Sequence, residues 1–292
     1  MNIRFPFVTS LKGFAMGAAN VVPGVSGGTI ALLTGVFAPL VASLSALSSL
    51  KTWKLLLNKE FKAFWRAIDG DMLLWLGIGV VISVLSLAKL VTAALERHPV
   101  QTWAFFFGLI VVSTGYMLAQ VKGWKWQDVM WVAGGAAAGI GMAMISPTRT
   151  PDSWWFIALC GVVSMCSMIL PGLSGSLVLV ILGKYDVIME AIGALDLPMI
   201  AVFGAGAVAG LVAFSRGLHW LMERFERATL LFLIGFVIGS LLKVWPWSDM
   251  EAVEAGNIVT GTVGEMHYAA AAVWAVIGGV VVVVLESISR KK

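Results

Sequence analysis

The chain has 292 residues, 59% of them hydrophobic and 12% charged, with a mean hydropathy of +0.92. Soluble domains run near half apolar and a quarter charged, so this composition excludes a water-soluble enzyme and a disordered chain and points to a polytopic membrane protein. Lys+Arg of 20 against Asp+Glu of 16 gives +4, an excess that in a membrane protein marks cytoplasmic loops rather than a nucleic-acid partner.

Residues 1–12 place Arg4 and Lys12 around too short an apolar run for a signal peptide, and read as a retained cytoplasmic, interfacial N-terminus. The next apolar segment, 13–46, is too long for one crossing. It is broken by Pro23-Gly24-Val25-Ser26-Gly27-Gly28, and proline and glycine in mid-helix divide it into two half-helices around a bend. Stretch 47–71 is polar and basic. Its Lys51, Lys54, Lys59, Lys62 and Arg66 lie among Trp53, Leu56, Phe61, Phe64 and Trp65, the pattern of a basic amphipathic helix lying on anionic cytoplasmic lipid. Spans follow at 72–95, 101–121 and 127–146, each near the twenty residues that cross about 30 Å of hydrocarbon.

The order then repeats. Segment 153–193 is again too long and is broken by Pro171-Gly172-Leu173-Ser174-Gly175-Ser176; spans follow at 198–222, 228–246 and 267–286, and 287–292 is a cytoplasmic tail. The two motifs are 148 positions apart, and beyond them Gly77, Gly79, Glu96, Arg97, Thr102, Gly108 and Ser113 match Gly204, Gly206, Glu223, Arg224, Thr229, Gly235 and Ser240 at an offset of 127. One loop insertion at 47–70, whose counterpart is 195–197, explains the change of offset. Cys160 and Cys166 are roughly 9 Å apart along one helix at 1.5 Å per residue, too far for a disulfide, and no Cys/His cluster suggests a metal.

Loop charges choose between a broken segment that crosses and one that re-enters as a hairpin. With hairpins and a cytoplasmic N-terminus, fourteen cations fall inside, and Arg97, Arg149, Lys184 and Lys243 fall outside; crossing segments would divide the same charges evenly. The expected fold is therefore an all-α polytopic membrane protein of two inverted repeats, 13–146 and 153–286, each a re-entrant hairpin plus three transmembrane helices. Both termini are expected in the cytoplasm.

Paired helix breaks in corresponding positions of two repeats point to a transport site near the midplane. The bends offer Ser26, Gly27 and Gly28, and Ser174, Gly175 and Ser176, at starting helix N-termini that suit an anion such as phosphate, with Pro23, Gly24, Pro171 and Gly172 as hinges. The alternative reading is that small residues there only allow close helix packing. Lys89 and Arg216 are intramembrane cations in equivalent positions and candidate phosphate contacts. Glu96, Glu223 and His219 are candidates for gating or proton coupling. No residue is assigned to catalysis or to a metal.

The stretch Gly13-Phe14-Ala15-Met16-Gly17-Ala18-Ala19-Asn20-Val21-Val22-Pro23-Gly24-Val25-Ser26-Gly27-Gly28, the later Leu170-Pro171-Gly172-Leu173-Ser174-Gly175-Ser176 and the closing Ile238-Gly239-Ser240-Leu241-Leu242-Lys243-Val244-Trp245-Pro246 resemble the bacterial undecaprenyl phosphate translocases of the PopT type. The resemblance implies an inner-membrane flippase that returns this polyprenyl-phosphate lipid from the outer to the inner leaflet for peptidoglycan and other cell-envelope polymers. Coupling to a proton or sodium gradient and assembly as a homodimer are left open. A small inorganic anion channel or carrier would satisfy the same electrostatics. The chain is also similar to the membrane undecaprenyl-diphosphate phosphatases, but the arginine of their Pro-Gly-x-Ser-Arg-Ser motif is here Gly27 or Gly175 and their acidic motif is missing. Without those groups phosphoryl transfer lacks both charge stabilisation and an activated nucleophile.

Overall fold

The computed structural model describes residues 4–21, 26–145, 150–247 and 268–290. Pro23 and Gly24 lie outside the described residues, as do the side chains of Lys89 and Glu96. Every regular element among the described residues is helical. In the first half these are α1 (Arg4–Val21), α2 (Gly27–Leu33), α3 (Phe37–Leu47), α4 (Leu50–Leu57), α5 (Phe61–Ala67), α6 (Gly70–Arg97), α7 (Pro99–Ala119) and α8 (Trp126–Ala143). In the second they are α9 (Trp154–Ile169), α10 (Gly175–Ile181), α11 (Tyr185–Gly193), α12 (Leu197–Ser240), a 3₁₀ turn (Leu241–Val244) and α13 (Tyr268–Arg290).

Within this set, Gly70–Leu87, Pro99–Ala119 and Leu197–Val244 are long and apolar enough to cross a bilayer. Large apolar side chains such as Leu85, Leu90, Val208 and Val276 remain exposed. A polytopic membrane protein presents such a surface to lipid, whereas a soluble one buries it. The 48-residue stretch 197–244 would be roughly 72 Å long as one rod, more than twice a hydrocarbon core, but it is not one rod. Phe225 leaves helical geometry (φ −136°, ψ 44°), as His98 does between α6 and α7 (φ −139°, ψ 58°). The Thr102 hydroxyl donates to Ala94 O at 3.1 Å and that of Thr229 to Leu221 O at 3.3 Å. Residues eight apart in a straight helix are about 12 Å from one another, so the chain turns a tight corner at both places.

Glycines set how the helices pair, because without a Cβ two backbones can touch. A Cβ on Gly13 would lie 2.1 Å from Leu76 O, and one on Gly79 would lie 2.0 Å from Ser10 O. The counterparts of these contacts in the second half are Gly161 against Phe203 O at 2.2 Å and Gly206 against Ala158 O at 1.9 Å. Gly17 meets Val80 and Gly210 meets Val162. Contacts advance together along both partners, so α1 runs parallel to α6 and α9 parallel to the first arm of α12.

A second pairing joins the halves. Gly135 packs on Phe232 and Gly139 on Phe236, and equivalently Gly278 packs on Phe105 and Gly108 on Ala275. The last helix of each half thus lies parallel to the helix after the corner in the other half. The main core sits where these pairs meet: Ile30, Ala31, Phe37 and Val41 of the first broken segment pack with Trp103, Phe106, Leu233 and Val237.

Two expectations need correction. The basic stretch is not one helix, because the chain turns at 58–60 with Lys59 at φ 62°, and Trp53 folds back on Phe64 with ring centroids 5.8 Å apart. Lys184 and Lys243 are not solvated loop charges; they are 3% and 4% exposed.

Gly206→Ala forces a methyl group into the Ala158 carbonyl and should cost at least about 1–3 kcal/mol. Gly204 faces open space, so Gly204→Ala should be neutral or stabilising by up to about 1 kcal/mol. Thermal unfolding of the two purified variants in detergent checks the contrast.

Candidate functional site

The two bends meet. Gly172 stands at φ 87°, a conformation that favours glycine, and turns its N–H to the Thr29 hydroxyl at 2.7 Å. From the other side Ser26 Oγ donates to Leu170 O at 3.4 Å. Gly28 permits the approach, since a Cβ there would lie 3.0 Å from Ile169 O. Backbone groups freed by the second helix break therefore find side-chain partners on the first broken segment, which the interior of a membrane protein demands.

The bends differ in what they leave available. Ser26 is buried and caps α2, accepting from the Gly28 N–H at 3.1 Å, while the Gly27 N–H donates to Asn20 Oδ1 at 2.7 Å. The first bend thus uses its own polar groups. At the second, Ser174 stands at the N-cap of α10 without capping it, and its hydroxyl pairs with that of the exposed Ser176 at 2.7 Å. Gly175 is buried against Ser164 and Met168. These two hydroxyls can turn toward a ligand; that of Ser26 is committed to the fold.

Each hairpin is tied at the end of its short outgoing helix. Lys12 Nζ donates to Thr34 O at 2.7 Å, and Thr150 Oγ1 donates to Leu182 O at 2.5 Å. Buried Lys184 pairs with Asp152 at 2.5 Å and donates to Thr150 O at 3.0 Å.

Arg216 makes its hydrogen bonds to Ser48 and not to the bends. Its Nε donates to Ser48 Oγ at 3.0 Å and its other nitrogen donates to Ser48 O, so the guanidinium closes the C-terminal end of α3. Glu223 faces His219 at 3.4 Å, one helical turn away. Arg216 thus rests on Ser48. Arg227 is a cation the sequence reading assigned no role. It makes a two-pronged contact with Asp128 at 2.7 and 3.0 Å and also reaches the carbonyls of Lys122 and Gly123, locking α8 to the corner of α12.

Ser26→Ala removes a buried cap and the tie to Leu170 and should lower stability by about 1 kcal/mol. Ser174→Ala loses only a hydroxyl pair open to solvent and should unfold at the wild-type temperature. Parallel melts of both variants in the same detergent check this.

The family model described as VCA0040-like, undecaprenyl phosphate translocase-like, matches residues 16–260. The chain is 40% identical over 243 residues to a polyprenyl-phosphate transporter of Vibrio cholerae, covering 82% of this chain and 78% of that protein. It is 32% identical over 262 residues to a polyprenyl-phosphate transporter of Staphylococcus aureus, covering 83% and 87% respectively. No solved structure matches it.

Proposed function

The chain belongs to the undecaprenyl phosphate translocase-like family, and from that premise we propose that it is a flippase returning undecaprenyl phosphate from the outer to the inner leaflet of a bacterial inner membrane. It is a polyprenyl-phosphate transporter and not an enzyme. The observation that carries this reading is the 40% identity over most of the chain to a protein of that named activity.

The packing supports an inverted-repeat mechanism. Since α1 and α6 run parallel, the segment between them has to return to the side from which it started, as a re-entrant hairpin does and a crossing segment does not. The same holds for α9 and α12. A corner between α6 and α7 and another within α12 then give the two halves opposite directions, so one bend is reached from each side of the membrane. Both termini are cytoplasmic in this reading, in keeping with the positive charge on that side. Two bends touching near the midplane form a centre that either leaflet can reach in turn.

Ser174, Gly175 and Ser176 supply hydrogen bonds to the phosphate at the second bend, while Ser26, Gly27 and Gly28 hold the first bend against it. Arg216 can take the phosphate once it lets go of Ser48, its guanidinium gripping two oxygens and drawing the headgroup toward the cytoplasmic side. Lys89 is its counterpart in the repeat. Gating or proton coupling is assigned in this reading to Glu96, Glu223 and His219.

Proteoliposomes carrying the chain should move a labelled polyprenyl phosphate between leaflets faster than empty vesicles. They should release no phosphate from undecaprenyl diphosphate. Transport of inorganic phosphate without movement of the lipid would favour the small-anion carrier, and metal-dependent phosphate release lost in Ser174→Ala would favour the phosphatase.

A further inference from the structure

Lys243 is used neither by the polar contacts of the fold nor by the proposed transport cycle. Its side chain is 4% exposed, and its Nζ is buried without a hydrogen-bond partner. Burying an ammonium in this way is costly, and the cost is ordinarily met by an anion, a carbonyl or water. The other two lysines that serve the hairpins do have such partners: Lys12 has the Thr34 carbonyl and Lys184 has Asp152 and the Thr150 carbonyl. The missing partner at Lys243 therefore has a specific place.

That place adjoins the second bend. Lys243 lies in the 3₁₀ turn Leu241–Val244, whose N-cap is Ser240. In a 3₁₀ turn residues three apart share a face, so Lys243 continues the line of Ser240. Ser240 and Phe236 bear on Gly172: a Cβ on that glycine would meet Ser240 Oγ at 2.7 Å and the Phe236 ring at 3.4 Å. The backbone at Gly172 is the part of the second bend that binds Thr29. Lys243, with its ammonium buried and unpaired, thus belongs to the turn that directly follows the residue bearing on the contact between the two broken helices.

We propose that Lys243 is the cation that receives the phosphate monoester of the lipid at the second bend. The inference rests on the transporter reading and deepens it by naming the residue that holds the headgroup. The repeat places Tyr116 at the equivalent position of the first half, so the two bends are unlike in charge, and the phosphate has its buried positive contact at the second bend. In the inverted arrangement this bend opens toward the outer leaflet and Arg216 lies toward the inner one. The headgroup would be taken up at Lys243 and handed on toward Arg216.

The test compares purified wild type, Lys243→Met and Lys243→Arg in nanodiscs for binding of undecaprenyl phosphate, undecaprenol and inorganic phosphate. The wild type should prefer undecaprenyl phosphate to undecaprenol. Lys243→Met should weaken binding of the phosphate lipid by about tenfold or more while leaving undecaprenol unchanged, and Lys243→Arg should retain much of it. Melting without ligand controls for folding: Lys243→Met should melt no lower than wild type, because it removes an unpaired buried charge, yet should lose the stabilisation that the phosphate lipid gives wild type. Equal binding of the phosphate lipid by wild type and Lys243→Met overturns the role of Lys243 and leaves the transporter reading standing. A wild type that does not distinguish undecaprenyl phosphate from undecaprenol overturns both. Loss of inorganic phosphate binding in Lys243→Met alongside unchanged lipid binding also overturns the proposal, since the lysine would then serve a free anion.

Discussion

Backbone polar groups inside a membrane have no water to turn to, and this constraint organises the whole molecule. A helix broken at Pro171-Gly172 exposes N–H and C=O groups that an unbroken helix would pair internally. Here the Gly172 N–H goes to Thr29 and the Leu170 carbonyl accepts from Ser26, so the second break is satisfied by the first broken segment, while on that segment the Gly27 and Gly28 N–H groups go to Asn20 and Ser26. The half-helices α2 and α10 are seven residues each, too short to stand alone, and they persist because the surrounding helices hold them.

Those surrounding helices are joined by glycines, which let backbones approach closely enough for van der Waals contact to replace a hydrophobic drive that is weak in lipid. The four parallel pairs have a definite division of labour. α1 with α6, and α9 with the first arm of α12, fix each hairpin to its own half. α8 with the second arm of α12, and α13 with α7, exchange helices between the halves and so bring the bends together. Movement of one half against the other would have to pass through this exchanged pairing, and the Arg227–Asp128 contact sits at one end of it.

Much of this was legible in the sequence. Both breaks, the offset of 148 between them and the offset of 127 beyond them predict equivalent contacts, and the matched glycines Gly79 with Gly206 and Gly108 with Gly235 each touch a neighbouring backbone, whereas the matched Gly77 and Gly204 both face open space. The bends' inequality was not legible. Ser26 and Ser174 occupy the same motif position, and only the path of α1 brings Asn20 to the Gly27 N–H, where its counterpart Met168 lies against Gly175 without an amide oxygen to offer. Nor could spacing show that Arg216 lies on Ser48, a contact across 168 positions. Lys243 was hidden for another reason: a charge count treats every lysine near a span end as solvated, and burial depends on the neighbours that the fold supplies.

The central claim is that both broken segments return to the side they came from, and do so on opposite sides of the membrane. Lys59 follows the first hairpin and Leu195 follows the second, and both are exposed. Single cysteines at these two positions, in a background where Cys160 and Cys166 are alanine, can be labelled in intact cells with a membrane-impermeant thiol reagent before and after permeabilisation. The account predicts that Leu195→Cys is labelled from outside and Lys59→Cys only after permeabilisation. Labelling of both from the same side would mean that the broken segments cross the membrane, the halves run parallel, and the two bends cannot be reached from opposite leaflets.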